Sequence, residues 1–199
     1  FLGRHFADEI IVPCVRWYLR YSLSYRDLTD MMCERNLSID PSASWRLVQR
    51  YAPELNKRIR RELKSTNGSW LTDETYVRVA GRWTYLYRAR DSTGATIDFL
   101  PSETRDLTAA RNFFQKAFAA TGHPRPRVIK VDGNPFYPAV VEERRNERAL
   151  GRRYRCRVVP YLNNILEQDH RAIKRRVNAG FGFRSFDCAQ RTIQGYEAM

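Results

Sequence analysis

Apolar positions in the first 60 residues recur with the 3.6-residue period of amphipathic helices. Ile11, Val15 and Tyr18 share one face of a helix that Asp8 can cap and that runs to about Arg20, bent at Pro13. Ser24 can cap a second helix, with Leu28, Met31 and Met32 on its apolar side, and Asn36-Leu37-Ser38-Ile39 reads as a short turn. Ser42 or Ser44 opens a third helix through Trp45, Val48 and Tyr51. Pro53 cannot continue that helix but suits the first turn of another, running to Lys64. Ser65-Thr66-Asn67-Gly68-Ser69 is polar and reads as a flexible boundary.

Beyond that boundary the period becomes two. Trp70–Ala80, Arg82–Arg90 and Thr96–Leu100 read as strands of an antiparallel meander, turned at Gly81 and at Asp91-Ser92-Thr93-Gly94, with Trp83, Tyr85 and Tyr87 on one face of the second. Asp106–Ala120 is amphipathic through Leu107, Ala110, Phe114 and Ala117. Val128-Ile129-Lys130-Val131 is short and nearly all apolar, as a central parallel strand is, and ends at Asp132-Gly133. Asn134 and Pro135 open a further helix. Tyr154, Cys156 and Val158 then alternate with Arg153, Arg155 and Arg157 in an edge strand with one basic face. Asn164 opens a helix to about Asn178, and Ser185 caps a last one. This order predicts an α/β fold. Residues 70–199 would form a ribonuclease-H-like mixed sheet flanked by helices, preceded by a small all-α helix-turn-helix domain over 1–64 and a linker over 65–69.

Charge narrows the function. Lys and Arg number 35 against 22 Asp and Glu, a formal net charge of +13. A polyanionic partner, nucleic acid first, follows more readily than a generically basic soluble protein. The excess is +4 over residues 1–65 and +9 over 66–199. At 43% hydrophobic and 13% aromatic, the chain can bury a core. It has no run of 18 apolar residues and no signal-peptide hydrophobic region, so the expectation is no membrane partner and a cytoplasmic, nucleoid-associated protein. Cys14, Cys33, Cys156 and Cys188 stand far apart, and the three histidines show no ligand spacing with them, which argues against a zinc site and a disulfide framework. A start without Met and a stop inside a helical pattern read as a fragment trimmed at both ends, its catalytic domain C-terminally truncated.

Three carboxylates could carry chemistry. Asp73 shares a strand face with Leu71, Thr75, Val77 and Val79, where an ionised group needs a partner or a metal; a strand-end aspartate bonded to backbone is the plainer alternative. Its neighbour Glu74 points the other way and reads as a solvated charge. Asp132 stands at the carboxyl end of the central parallel strand, where α/β sheets bind ligands, or is a simple turn aspartate. Glu167 completes a capping-box pattern with Asn164, yet also heads a stripe of Arg171, Lys174 and Asn178 that suits a metal ligand beside a phosphate backbone. His170 falls on the other stripe, with Leu166, Ile173 and Val177, and reads as a satisfied core histidine. In a ribonuclease-H-like sheet the first and fourth strands are neighbours, so the three carboxylates would converge. An all-oxygen set selects Mg²⁺ or Mn²⁺, and two such ions suit in-line phosphoryl transfer.

The stretches Trp70-Leu-Thr-Asp-Glu-Thr75, Asp132-Gly-Asn-Pro-Phe-Tyr-Pro-Ala139 and Tyr161-Leu-Asn-Asn-Ile-Leu-Glu-Gln-Asp-His-Arg-Ala-Ile-Lys-Arg-Arg176 resemble the three catalytic motifs of the DDE transposases of bacterial insertion-sequence family six. Val15-Arg-Trp-Tyr-Leu-Arg-Tyr21, Leu23-Ser-Tyr-Arg-Asp-Leu28 and Arg50-Tyr-Ala-Pro-Glu-Leu55 are similar to that family's head, and Gly182-Phe-Arg-Ser-Phe186 and Gly195-Tyr-Glu197 to its tail. The resemblance implies Asp73, Asp132 and Glu167 as a metal-holding catalytic triad. It also implies replicative, cointegrate-forming transposition at terminal inverted repeats. Double-stranded DNA, at element ends and target, and further copies of the chain on it would be the partners. Pro41-Ser-Ala-Ser-Trp-Arg-Leu47 departs from the family's usual His-Ser-Thr run and from its Trp at the position of Leu47, and the closing basic residues are absent. Candidate DNA contacts are Arg26, Arg46, Gln49 and Arg50 in the head and Arg171, Lys174 and Arg175 beside Glu167. A nuclease without strand transfer and a truncated, non-catalytic DNA-binding repressor are the rival readings.

Overall fold

The computed structural model describes residues 6–59, 62, 65–120, 122–146, 154–159 and 163–199, the side chains of 144–146 and 163–169 excepted. In chain order the elements are α1 (Asp8–Arg20), α2 (Tyr25–Cys33), α3 (Pro41–Ile59), β1 (Ser69–Val79), β2 (Arg82–Asp91), β3 (Thr96–Ser102), α4 (Leu107–Ala119), β4 (Val128–Val131), α5 (Phe136–Asn146), β5 (Arg155–Val158), α6 (Asn163–Ala179) and α7 (Phe186–Glu197).

The five strands form one mixed sheet in the order β3-β2-β1-β4-β5. β2 and β3 pair antiparallel, while β1 with β4 and β4 with β5 pair parallel. This is the ribonuclease-H-like arrangement that the element order predicts. On β1 the period of two holds: Leu71, Asp73, Thr75, Val77 and Val79 are all buried. Trp70 and Thr72 on the opposite face are buried as well, as a strand with neighbours on both sides requires. The main core gathers Trp70, Tyr87, Ile97, Phe113, Phe114, Ile129, Val131, Tyr137 and Val140.

Side-chain caps set the helix starts. Ser24 and Asp27 form a reciprocal capping box on α2, Asp106 accepts from Ala109 N at 2.7 Å on α4, and Ser185 caps α7. Elsewhere the sequence reading needs correcting. Asp8 is the first helical residue and not the cap, and Asp40, accepting from Ser42 N and Ala43 N, starts α3 at Pro41. α3 also runs unbroken through Pro53. The proline removes one ladder bond, while buried Val48, Tyr51 and Ala52 hold that face of the helix in place.

The described residues group into two units that do not follow chain order. One takes Phe1–Leu63, Arg78–Arg82 and Ala172–Met199, and the other Lys64–Val77 and Trp83–Arg171. The C-terminal helix, read as part of the 70–199 domain, packs on α3 and α1 instead. Gly195 makes this close approach possible, because a Cβ there would lie 2.5 Å from Leu19 Cδ2 and 2.9 Å from Ala52 Cβ. The expected flexible linker is itself tied down in the second unit. Thr66 is buried, Asn67 N donates to Asp91 Oδ2 at 2.9 Å, and Gly68 O accepts from Arg127 N at 2.7 Å. No helix among the described residues is long and apolar enough to cross a membrane.

Candidate active site

The register of the two parallel strands brings the aspartates together. Trp70 pairs with Ile129, Leu71 with Lys130 and Thr72 with Val131. Asp73 and Asp132 are the next residue on each strand, at positions about 4.8 Å apart in a parallel ladder. Apolar burial of Ile129 and Val131 fixes β4 in the sheet interior, and the Asp132-Gly133-Asn134 turn ends it there. Asp132 Oδ1 accepts from Asn134 N at 3.0 Å, which anchors the carboxylate at the mouth of the turn.

Asp73 is 7% exposed. Its Oδ1 accepts from Glu74 N at 2.7 Å, and its Oδ2 lies 3.0 Å from His170 Nε2. Burial, reinforced by the negative charges of Glu74 and Asp73 and opposed by the Asn134 amide and the Arg105 charge, pushes the Asp132 carboxyl above the usual carboxylate range. Neither aspartate makes an ion pair with Lys or Arg among the described residues. Two hard oxygen donors with a surplus of negative charge therefore stand side by side, a set that fits Mg²⁺ or Mn²⁺ and not zinc. Among the described residues no group of three His, Cys, Asp or Glu has metal-holding geometry. The third expected carboxylate, Glu167, is on α6, but its side chain lies outside the described residues, so neither its capping nor its ligand reading is placed.

Glu74 corrects the sequence reading. It does point away from Asp73, yet its side chain is only 5% exposed. It pairs with Arg105, accepts from the Tyr137 hydroxyl, and accepts from Asn134 Nδ2 with both oxygens at 3.2 and 3.0 Å. Tyr137 is fully buried, and burial together with the Glu74 charge holds its hydroxyl well above the usual phenol range. Asn134 therefore joins two networks, its backbone holding Asp132 and its side chain holding Glu74. The signal was present in the Asp-Gly-Asn-Pro-Phe-Tyr stretch, where two polar groups follow Asp132 at short range, but a period of two on β1 says only where Glu74 points and not what meets it.

On α6, Ile173 and Val177 are buried, as their stripe predicts, and Arg171, Lys174 and Arg175 are exposed. His170 belongs to that inner stripe and is satisfied by a candidate catalytic carboxylate, Asp73. In the head, Arg26, Arg46 and Arg50 are exposed. Gln49 is not exposed in the way a groove reader must be. It is 7% exposed, and its Nε2 donates to Thr192 Oγ1 at 2.8 Å because the C-terminal helix covers that side of α3. Of the basic residues near β5, Arg155 and Arg157 are exposed, and Arg148, Arg152 and Arg153 lie outside the described residues.

Comparison with known proteins bears on both fold and chemistry. Residues 67–199 match the family profile of the IS240-type DDE domain. Over all 199 residues the chain is 34% identical to the transposase for insertion sequence-like element IS431mec of Staphylococcus aureus, covering 86% of that protein. It is 33% identical, over the same spans, to the Staphylococcus aureus transposase for insertion sequence element IS257 in transposon Tn4003. Among solved structures, a chain of the simian T-cell lymphotropic virus intasome in complex with PP2A regulatory subunit B56 gamma superposes with a TM-score of 0.51 at 13% identity. That alignment spans 92% of this chain and 64% of the other, a likeness of fold.

Proposed function

The chain belongs to the DDE transposases of bacterial insertion-sequence family six, which makes it a polynucleotidyl transferase, and from this we infer that Asp73, Asp132 and Glu167 are its catalytic carboxylates and DNA its substrate. The observation that carries the assignment is the register that sets Asp73 and Asp132 at neighbouring positions where β1 and β4 run parallel, with no Lys or Arg ion-paired to either among the described residues. Asp73, Asp132 and Glu167 would hold two Mg²⁺ or Mn²⁺ ions, which when bound supply positive charge to the attacking and leaving oxygens of an in-line displacement. The protein's own part is to hold the donors still. Glu74 N and His170 orient Asp73, and Asn134 N orients Asp132.

The reaction has two steps. Hydrolysis of a phosphodiester at an element end frees a 3′-hydroxyl. That hydroxyl then attacks a target phosphodiester, forming one phosphodiester and releasing another 3′-hydroxyl. No side chain need form a covalent intermediate, so no Ser, Tyr or Cys nucleophile is assigned. Arg26, Arg46 and Arg50 of the head and Arg171, Lys174 and Arg175 of α6 would track phosphates of double-stranded DNA, at the terminal inverted repeats and the target, a reading their exposure supports. Replicative, cointegrate-forming transposition by several copies of the chain on DNA completes the reading. The test is incubation with labelled element ends, target DNA and Mg²⁺. Nicked and joined products support it, nicks without joining favour a nuclease, and binding without either favours a repressor.

A further inference from the structure

The first unit contains a cavity of about 710 Å³ that the chemistry above does not use. Its size lies within the ~300–1,000 Å³ typical of small-ligand clefts. Phe181, Tyr25, Trp45, Arg26, Arg184 and Gln49 are among the residues that line it. Phe181 is 88% exposed and sits at φ +58, a left-handed conformation that disfavours any side chain with a Cβ. Glycine would relieve the strain, and a ring so exposed gains nothing from core burial.

The turn that presents this ring is rigid. Phe181 N donates to Asn178 O at 3.0 Å, Gly182 N to Val177 O at 2.8 Å, and Phe183 N to Arg78 O at 2.8 Å. A Cβ on Gly180 would lie 2.8 Å from the Tyr18 hydroxyl, and one on Gly182 2.9 Å from the Arg78 carbonyl oxygen, so both flanking glycines are seated against fixed atoms. Two guanidinium groups border the same cavity. Arg26 is exposed and makes no hydrogen bond or ion pair among the described residues, and Arg184 stands over the Trp45 ring at 5.4 Å.

An aromatic face and two guanidinium groups match two parts of a nucleotide, a base plane and a phosphate. A base stacked in a duplex offers no free face. We propose that this cavity receives one unpaired nucleotide of the DNA substrate, its base on Phe181 and its phosphate held by Arg26 and Arg184. The inference rests on DNA being the substrate, but not on the triad.

The test uses the full chain and two duplexes of equal length, one fully paired and one carrying a single bulged 2-aminopurine. The wild type should bind the bulged duplex at least about fivefold more tightly and quench its fluorescence, since base–aromatic stacking is worth that factor or more. Phe181→Gly should melt no lower than wild type, bind the paired duplex as before, and lose both the preference and the quench; Phe181→Trp should keep them. Equal wild-type affinity for the two duplexes, or a preference that survives Phe181→Gly, overturns the proposal. So does loss of self-association in Phe181→Gly without any bulge preference in the wild type, which would make the ring a contact between copies. Binding to neither duplex at low salt would reject DNA as substrate altogether, whereas equal binding rejects the cavity alone.

Discussion

Asp73 and Glu74 are consecutive acids on one strand, both nearly buried, and their surroundings differ in kind. Glu74 meets a guanidinium, a phenol hydroxyl and a carboxamide, so its charge and its lone pairs are answered inside the protein. Asp73 meets an imidazole and one backbone amide, and shares its side of the sheet end with a second carboxylate. Burial alone does not tell a structural carboxylate from a reactive one. What tells them apart is whether a protein cation neutralises the group. Glu74 is satisfied and braces the Asn134 turn. The Asp73–Asp132 pair is left with negative charge that a bound cation would have to balance.

The sharpest way to break this contrast is to remove charge from each side in turn. Asp73→Asn and Asp132→Asn should abolish nicking and joining, by about 10⁴-fold or more, because groups that act as one unit fail together. Glu167→Gln should do the same while melting within a few degrees of wild type, since Gln serves in a capping box as Glu does and forfeits only ~0.3–1 kcal/mol of helix-end charge. Gel assays of cleavage and strand transfer, beside DNA-binding measurements at fixed salt, check all three. Near-normal joining by Glu167→Gln would leave that residue a cap and dissolve the triad.

On the other side of the strand the effect should move from activity to stability. Glu74→Gln puts amide hydrogens against donors that expect an anion and leaves Arg105 without its counter-charge. A loss of about 2–3 kcal/mol is expected, read as a Tm lower by about 5–10 °C. Tyr137→Phe removes one donor of three and should cost about 1–2 kcal/mol. If Glu74→Gln melted like wild type yet lost all activity, the roles assigned to the two acids would have to be exchanged.

Much of this contrast is legible in the sequence, and the part that is not has a physical reason. The period of two on β1 and the apolar run of β4 place Asp73 and Asp132 because alternation and strand ends are local properties of the chain. Gly195 reads as an ordinary small residue until its Cβ is found to have no room beside Leu19, so the grouping of α7 with the head was invisible. The same packing buries Gln49, which helical periodicity alone had turned toward DNA. Glu74 reads as a solvated charge for a related reason. Its partners Arg105, Asn134 and Tyr137 lie 31, 60 and 63 residues away, and no local pattern reports contacts at that range. Pro53 shows the converse, a strong local signal overridden by the burial of Tyr51 and Ala52 beside it.

The smallest predicted effect is a pH dependence that separates the two acids without touching catalysis. Burial and the charges of Glu74 and Asp73 raise the Asp132 carboxyl in the folded protein, against a partial offset from the Asn134 amide and the Arg105 charge. A carboxyl raised on folding holds its proton more tightly in the folded state than in the unfolded one. Its ionisation then opposes folding: the penalty is absent below the unfolded value near 3.9, grows as pH rises, and is complete above the folded value. Asp132→Asn removes a group that can ionise. In metal-free protein its Tm relative to wild type should therefore be least favourable near pH 4 and climb to a plateau as pH rises, which thermal melts at half-unit intervals would show. Mg²⁺ should reverse the comparison at neutral pH, because a cation that binds the ionised pair stabilises the wild type and has less to hold in the variant. Glu74 must show no such reversal, since Arg105 already fills the place of the ion. A Tm difference that is flat with pH and indifferent to Mg²⁺ would mean that Asp132 titrates as it would in water, and that the two sides of β1 differ in burial but not in charge balance.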